Sequence, residues 1–151
     1  MRNIMNGIAS GFAATLAAGS MMLMKNALHR LPELHVARTL SEVLGSPDRA
    51  LAGWIAFLVI GIVIFGVLFA LLEPRLPGRS YLAKGIIFAA ITWLIHMAVI
   101  LPLTGAGVFG MDRGPVLAAA ALVLHLVYWV VLSLIYRQGV APSAQAVRRR
   151  A

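Results

Sequence analysis

The chain reads as an all-α membrane protein. Four transmembrane helices form a compact bundle, with a short amphipathic interfacial helix between the first and the second. Three observations predict this. First, four stretches of the 151 residues lack Lys, Arg, Asp and Glu: 3–24, 50–72, 85–111 and 114–136. Each is long enough for a bilayer core, which takes about 20 apolar residues as a helix. Second, 61% of the chain is hydrophobic and 12% is charged, against about 25% charged in soluble domains. Third, the charged residues gather at the chain ends and in the segments between the stretches. Backbone groups cannot stay unpaired in lipid, so such stretches must be helical.

The spans are expected at about 4–24, 50–72, 82–102 and 115–136, in a single domain over 1–138. The first begins close to Met1-Arg2. Residues 8–18 have the outline of a signal peptide, but one charge precedes them and Met21-Met22-Leu23-Met24 follow, so the segment reads as a retained span. Gly7, Gly11, Thr15 and Gly19 fall four apart along one side, a face that lets another helix backbone come close. It suits packing inside the bundle, or a seam between two copies.

In the first connection, Leu31-Pro32 breaks the chain. Val36, Leu40, Val43 and Leu44 then repeat at helical spacing, as in a helix on the membrane surface, and Gly45 ends it. Ser46-Pro47-Asp48 is expected to open the second span, with Ser46 as cap. Trp54 sits near that span's outer end, where an indole suits the headgroup boundary. Glu73-Pro74-Arg75-Leu76-Pro77-Gly78 reads as a tight turn, and Lys84 can snorkel from the third span. That span is expected to end near Pro102. The loop that follows is rich in glycine (Gly105, Gly107, Gly110), and lacks the Gly-Lys-Ser/Thr ending of a phosphate loop. A turn or re-entrant loop tucked against the bundle fits better. The fourth span opens at Pro115 and is expected to stop near Tyr136, leaving 139–151 as a basic disordered cytoplasmic tail.

Charge sets the orientation. Arg2, Arg75, Arg79, Lys84, Arg137, Arg148, Arg149 and Arg150 share one side of a four-span chain, and Lys25, Arg30, Arg38, Arg49 and Arg113 share the other, eight against five. By the positive-inside rule both termini are cytoplasmic. The net charge of +8 is therefore read as a topology signal. No basic groove with interleaved aromatics points to nucleic acid.

The absence of cysteine excludes disulfides, thiolate metal sites and cysteine nucleophiles. No Asp or Glu lies within an expected span, which argues against a carboxylate-based proton carrier. No catalytic residues are assigned. Two histidines do fall inside spans, His96 and His125, and intramembrane ionisable residues are functional candidates. Their depths should differ by about 7 Å. Tyr128 follows His125 by three and shares its face. A histidine bonded to a tyrosine or a backbone carbonyl is the plain packing alternative. Met21, Met22, Met24, His29, His35, Met97 and Met111 also fall in or near the outer half. Thioether and imidazole suit Cu(I), although the first three methionines spread around their helix. Haem between His96 and His125 requires opposed rings, which unequal depths make awkward.

The chain resembles a group of small bacterial four-helix membrane proteins classed as a domain of unknown function. The matching elements are Gly11-Phe12-Ala13-Ala14-Thr15, Leu31-Pro32-Glu33-Leu34, Leu71-Leu72-Glu73-Pro74-Arg75-Leu76-Pro77-Gly78, Trp93-Leu94, Leu101-Pro102-Leu103-Thr104-Gly105-Ala106-Gly107-Val108-Phe109-Gly110 and Leu124-His125-Leu126-Val127-Tyr128. The resemblance implies four helices in a bacterial inner membrane and no established activity, substrate or cofactor. Some members carry a His shortly after the Trp of the second helix. Here Trp54-Ile55-Ala56-Phe57 lacks it.

The expected function is that of a non-enzymatic multi-pass protein acting through packing with itself, a membrane partner protein or lipid. The alternatives are a small oligomeric carrier or channel, and a haem- or copper-binding protein using the two histidines. No metal ligand set is assigned.

Overall fold

A computed structural model describes residues 2–28 and 36–148. His29, His35 and the Leu31-Pro32-Glu33-Leu34 element lie outside the described residues. Four helices are long and apolar enough to cross a membrane: Asn3–Met24, Ala50–Arg75, Tyr81–Leu103 and Pro115–Val140. The first belongs to α1 (Arg2–Leu28), which α2 (Val36–Val43) follows. The second comprises α3 (Ala50–Leu58), a π-helical stretch (Val59–Phe65), α4 (Gly66–Leu72) and a 3₁₀ turn (Glu73–Arg75). The third comprises α5 (Tyr81–Ile95), a π-helical stretch (His96–Ile100) and α6 (Leu101–Leu103). A 3₁₀ segment (Val108–Arg113) leads to α7 (Pro115–Arg148). No strand occurs among the described residues.

Two boundaries differ from the expected ones. The fourth helix does not stop near Tyr136 but continues to Arg148, so residues 139–148 are helical rather than a disordered tail. Gly139 does not end it, because α7 packs along α1 there: a Cβ at Gly139 would meet the Asn6 side chain at 3.0 Å. The second helix begins at Ala50 with no side-chain cap. Ser46 instead closes a turn, its N–H bonding Ser41 O at 2.8 Å and its carbonyl accepting from Arg49 N at 3.1 Å. The third helix opens at Tyr81, with Ser80 Oγ accepting from Ala83 N at 3.1 Å.

α7 packs against both α1 and α5, while α1 packs against the second long helix. The stripe of small residues makes this last contact. Gly7 lies on the Gly66 backbone, Gly11 on the carbonyls of Gly61 and Ile62, and Thr15 on Gly61. Only helices without intervening side chains approach so closely. Gly19, at the far end, meets nothing nearer than the Phe57 ring.

Aromatic rings close the other side. Trp129 of α7 stacks on Phe88 of α5, with centroids 4.6 Å apart. Phe69 of α4 contacts Phe88, Trp129 and Tyr136. Phe65 contacts Tyr128 and Trp129. Trp129 Nε1 donates to Thr92 Oγ1 at 2.7 Å, and Thr92 Oγ1 donates to Phe88 O at 2.7 Å, so the indole N–H and the threonine hydroxyl are both satisfied.

The outward faces are apolar as well. Leu51, Ile55, Val63, Ile64, Ile86, Ile91, Leu94 and Val123 are all exposed. Helices apolar on every side have no face suited to water.

α2 is a helix, as the spacing predicts, but it docks differently. Ala37 and Ser41 are buried against Gly53, where a Cβ would overlap the Ala37 carbonyl. Ser41 Oγ bonds both Ala37 O and Arg49 O at 3.0 Å. Val43 and Leu44 of the apolar stripe point outward. Small residues win the contact because only they allow this separation.

Candidate functional site

His96 is the first residue of the π-helical stretch in the third helix, and His125 lies within α7. Their rings meet edge to face, with centroids 5.3 Å apart and planes at 61°. The expected offset in depth does not separate them. Each Cα–Cβ bond leans toward the N-terminus of its own helix. The two helices run antiparallel, so His96 leans away from the 104–114 loop and His125 leans toward it. The two side chains converge. His125 Nδ1 lies 2.7 Å from Ala121 O. A carbonyl oxygen only accepts, so Nδ1 carries the hydrogen and Nε2 of the neutral ring keeps its lone pair.

Toward the loop, the pair adjoins a closed apolar layer. Met97, Leu101, Ala106, Leu117 and Ala121 form one buried cluster. Trp93 flanks it, its Nε1 donating to Ala118 O at 3.0 Å and its ring standing against Phe109 at 5.7 Å. The glycine-rich loop folds onto this layer. Gly110 has φ +68°, and a Cβ there would lie 2.8 Å from Leu117 Cδ2. Gly107, φ +73°, lies against the Asp112 carboxylate, while Gly105 has open space around it. The loop is tucked in at Ala106 and Gly110 and exposed at Val108 and Met111.

Tyr128 does not join the histidines. It is buried among Phe65 and Trp129 and donates its hydroxyl to Gly61 O on the second helix. Thr15 Oγ1, also against Gly61, is buried without a hydrogen-bond partner. The methionines do not gather either. Met22 belongs to the aromatic core, Met97 to the layer under the loop, and Met24 and Met111 are exposed. Among the described residues, no three of His, Cys, Asp and Glu come together in a metal-binding group. The two imidazoles stand as a pair.

A second polar site was not anticipated. Because the second helix continues through Arg75, Glu73 is turned inward and pairs with Lys84 of α5, the side chains 12% and 15% exposed. Lys84 Nζ lies 5.7 Å from the centre of the Tyr81 ring, and Tyr81 stands 6.0 Å from Tyr136. The signal was present in the sequence: two opposite charges terminate adjacent apolar stretches. The tight turn expected over 73–78 carries no such pairing.

No curated protein and no solved structure matches the chain. A family model does match, over residues 1–146, and with that coverage the chain belongs to DUF6789, a family of unknown function.

Proposed function

We propose that this is a non-enzymatic multi-pass protein of the bacterial cytoplasmic membrane, with both termini cytoplasmic, and that it acts as a binding protein whose site is the His96–His125 pair. The edge-to-face contact of the two rings carries this reading. Two adjacent imidazoles face each other between the third and fourth helices, and ionisable groups at that depth are costly, which makes them functional candidates. The apolar outward faces support the membrane placement, and the eight-to-five distribution of Lys and Arg supports the orientation.

The expectation that the protein acts through its small-residue stripe loses support, because Gly7, Gly11 and Thr15 are occupied by the second helix of the same chain. A second copy, a partner protein or lipid would instead meet the outward apolar faces. Conduction by a single chain gains no support from an axis filled by Phe69, Phe88 and Trp129. A haem between the histidines is disfavoured by rings already in contact, with no slot for a macrocycle.

Native mass spectrometry of the protein released from membrane nanodiscs tests the binding reading. The expected result is a retained mass on the wild-type chain that is missing from a His96→Gln, His125→Gln double variant. An identical spectrum from both refutes it. Orientation is tested separately, since the chain has no cysteine. An impermeant thiol reagent should label Met111→Cys from outside and Arg79→Cys only after the membrane is opened.

A further inference from the structure

Resting on that binding-site reading, we propose that the occupant of the His96–His125 pair is a monovalent soft metal ion, Cu(I), held between two neutral imidazole nitrogens. The number and kind of donors select it. Zn²⁺ takes four ligands, and Ca²⁺ and Mg²⁺ take six or more oxygens. The pair offers two nitrogens, and no carboxylate joins them among the described residues. A closed-shell Cu(I) ion is satisfied by two opposed nitrogen donors, and imidazole is among its accepted ligands. Charge points the same way. In an apolar setting with no anionic ligand, a monovalent ion carries about a quarter of the Born penalty of a divalent one.

The spacing of the two rings is close to what such an ion needs. A metal about 2 Å from each nitrogen sets the ring centroids about 6 Å apart. They stand at 5.3 Å with planes at 61°, so the rings must part by about 1 Å and the ring that presents its face must turn until its free nitrogen points at the other. The π-helical stretch that begins at His96 supplies a local irregularity, of the kind often found at functional sites, to take up that movement. His125 is already oriented. Its Nδ1–H donates to Ala121 O, as the second nitrogen of a metal-bound imidazole commonly does, and this leaves the Nε2 lone pair free to bind. Binding uses existing lone pairs, so it transfers no electron and requires no proton to leave the site.

The test uses the full-length protein in mild detergent without oxygen, with Cu(I) supplied as a coloured chelator complex. The expected result is withdrawal of one Cu(I) per chain, with an X-ray absorption edge of the two-coordinate type. His96→Gln and His125→Gln should each weaken the affinity by more than about 100-fold, the upper end for losing merely an outer-shell partner. Thermal unfolding of each variant confirms that it remains folded, and His96→Asn and His125→Asn serve if a glutamine variant does not. Failure of the folded wild type to take up Cu(I), or equal uptake by the double variant, overturns the copper assignment. If native mass spectrometry still shows a different occupant that depends on both histidines, the binding site stands and copper alone is wrong. If no occupant depends on them, both readings fall.

Discussion

Gly11→Ala tests whether the first and second long helices are locked backbone to backbone. An alanine Cβ there would lie 2.6 Å from the carbonyl oxygen of Ile62 and 2.8 Å from that of Gly61. Ordinary contact begins at 3.4 Å, so the helices must part by roughly 0.6–0.8 Å. Both opposing atoms are backbone, and no rotamer change relieves the clash. Overpacking of this kind costs about 1–3 kcal/mol. The same separation lifts Gly7 from Gly66 and Thr15 from Gly61. Alanine recovers at most about 1 kcal/mol of helix propensity, and less in SDS, where the unfolded chain remains largely helical. The net expectation is a loss of about 1–2 kcal/mol. Gly19→Ala is the control, because its Cβ would meet Phe57 Cε1 at an ordinary 3.8 Å. It should change stability by less than about 0.5 kcal/mol. SDS titration in mixed micelles, followed by near-UV circular dichroism, measures both variants. If they unfold at the same midpoint, the close approach is wrong. If Gly11→Ala converts a dimer to a monomer at unchanged stability, the stripe is a seam between copies.

Three further outcomes follow from particular contacts. Glu73→Gln or Lys84→Met alone leaves a charge without its partner in a nearly closed site and should cost about 1–3 kcal/mol, discounted from the value for a fully buried pair because some water reaches both groups. The double variant should regain much of that loss, and additive losses in the same SDS titration would show that the pair is not coupled. Tyr128→Phe removes the hydrogen bond to Gly61 O and should cost about 0.5–1.5 kcal/mol; no measurable change would mean that this bond contributes nothing. Gly53→Val places a side chain on the Ala37 carbonyl and should release α2. Amide hydrogen exchange should rise over 36–43 and stay unchanged in the four long helices, and unchanged exchange over 36–43 would refute the docking.

Much of this architecture was legible in the sequence because long uncharged runs leave the backbone little choice but to bond within a helix. Uncharged runs of sufficient length announced the helices, and Pro115 marked the opening of the fourth. Boundaries set by tertiary contact were harder to read. The fourth span is expected to stop near Tyr136, yet α7 runs on through Gly139 beside Asn6. Glu73 looked like turn, yet a further 3₁₀ turn of the second helix carries it inward to Lys84. The apolar stripe of α2 was visible and its Val36 packs on the core, but Ala37 and Ser41 make the closest contact, since close approach to Gly53 favours small size over hydrophobicity.

By itself, the sequence determined four apolar helices, the charge asymmetry between their two ends, the stripe of small residues and the two histidines within spans. These follow from composition and from a period of 3.6 residues, which are local properties. Only the tertiary structure decided what each face meets. It set the Gly7–Gly11–Thr15 stripe against the second helix, turned Tyr128 from His125 toward Gly61, and brought His96 and His125 into contact. The physical reason is that helices apolar on every side gain little hydrophobic energy by choosing one neighbour over another. Their arrangement rests on shape, close approach and a few hydrogen bonds, and these exist only once the helices are placed side by side.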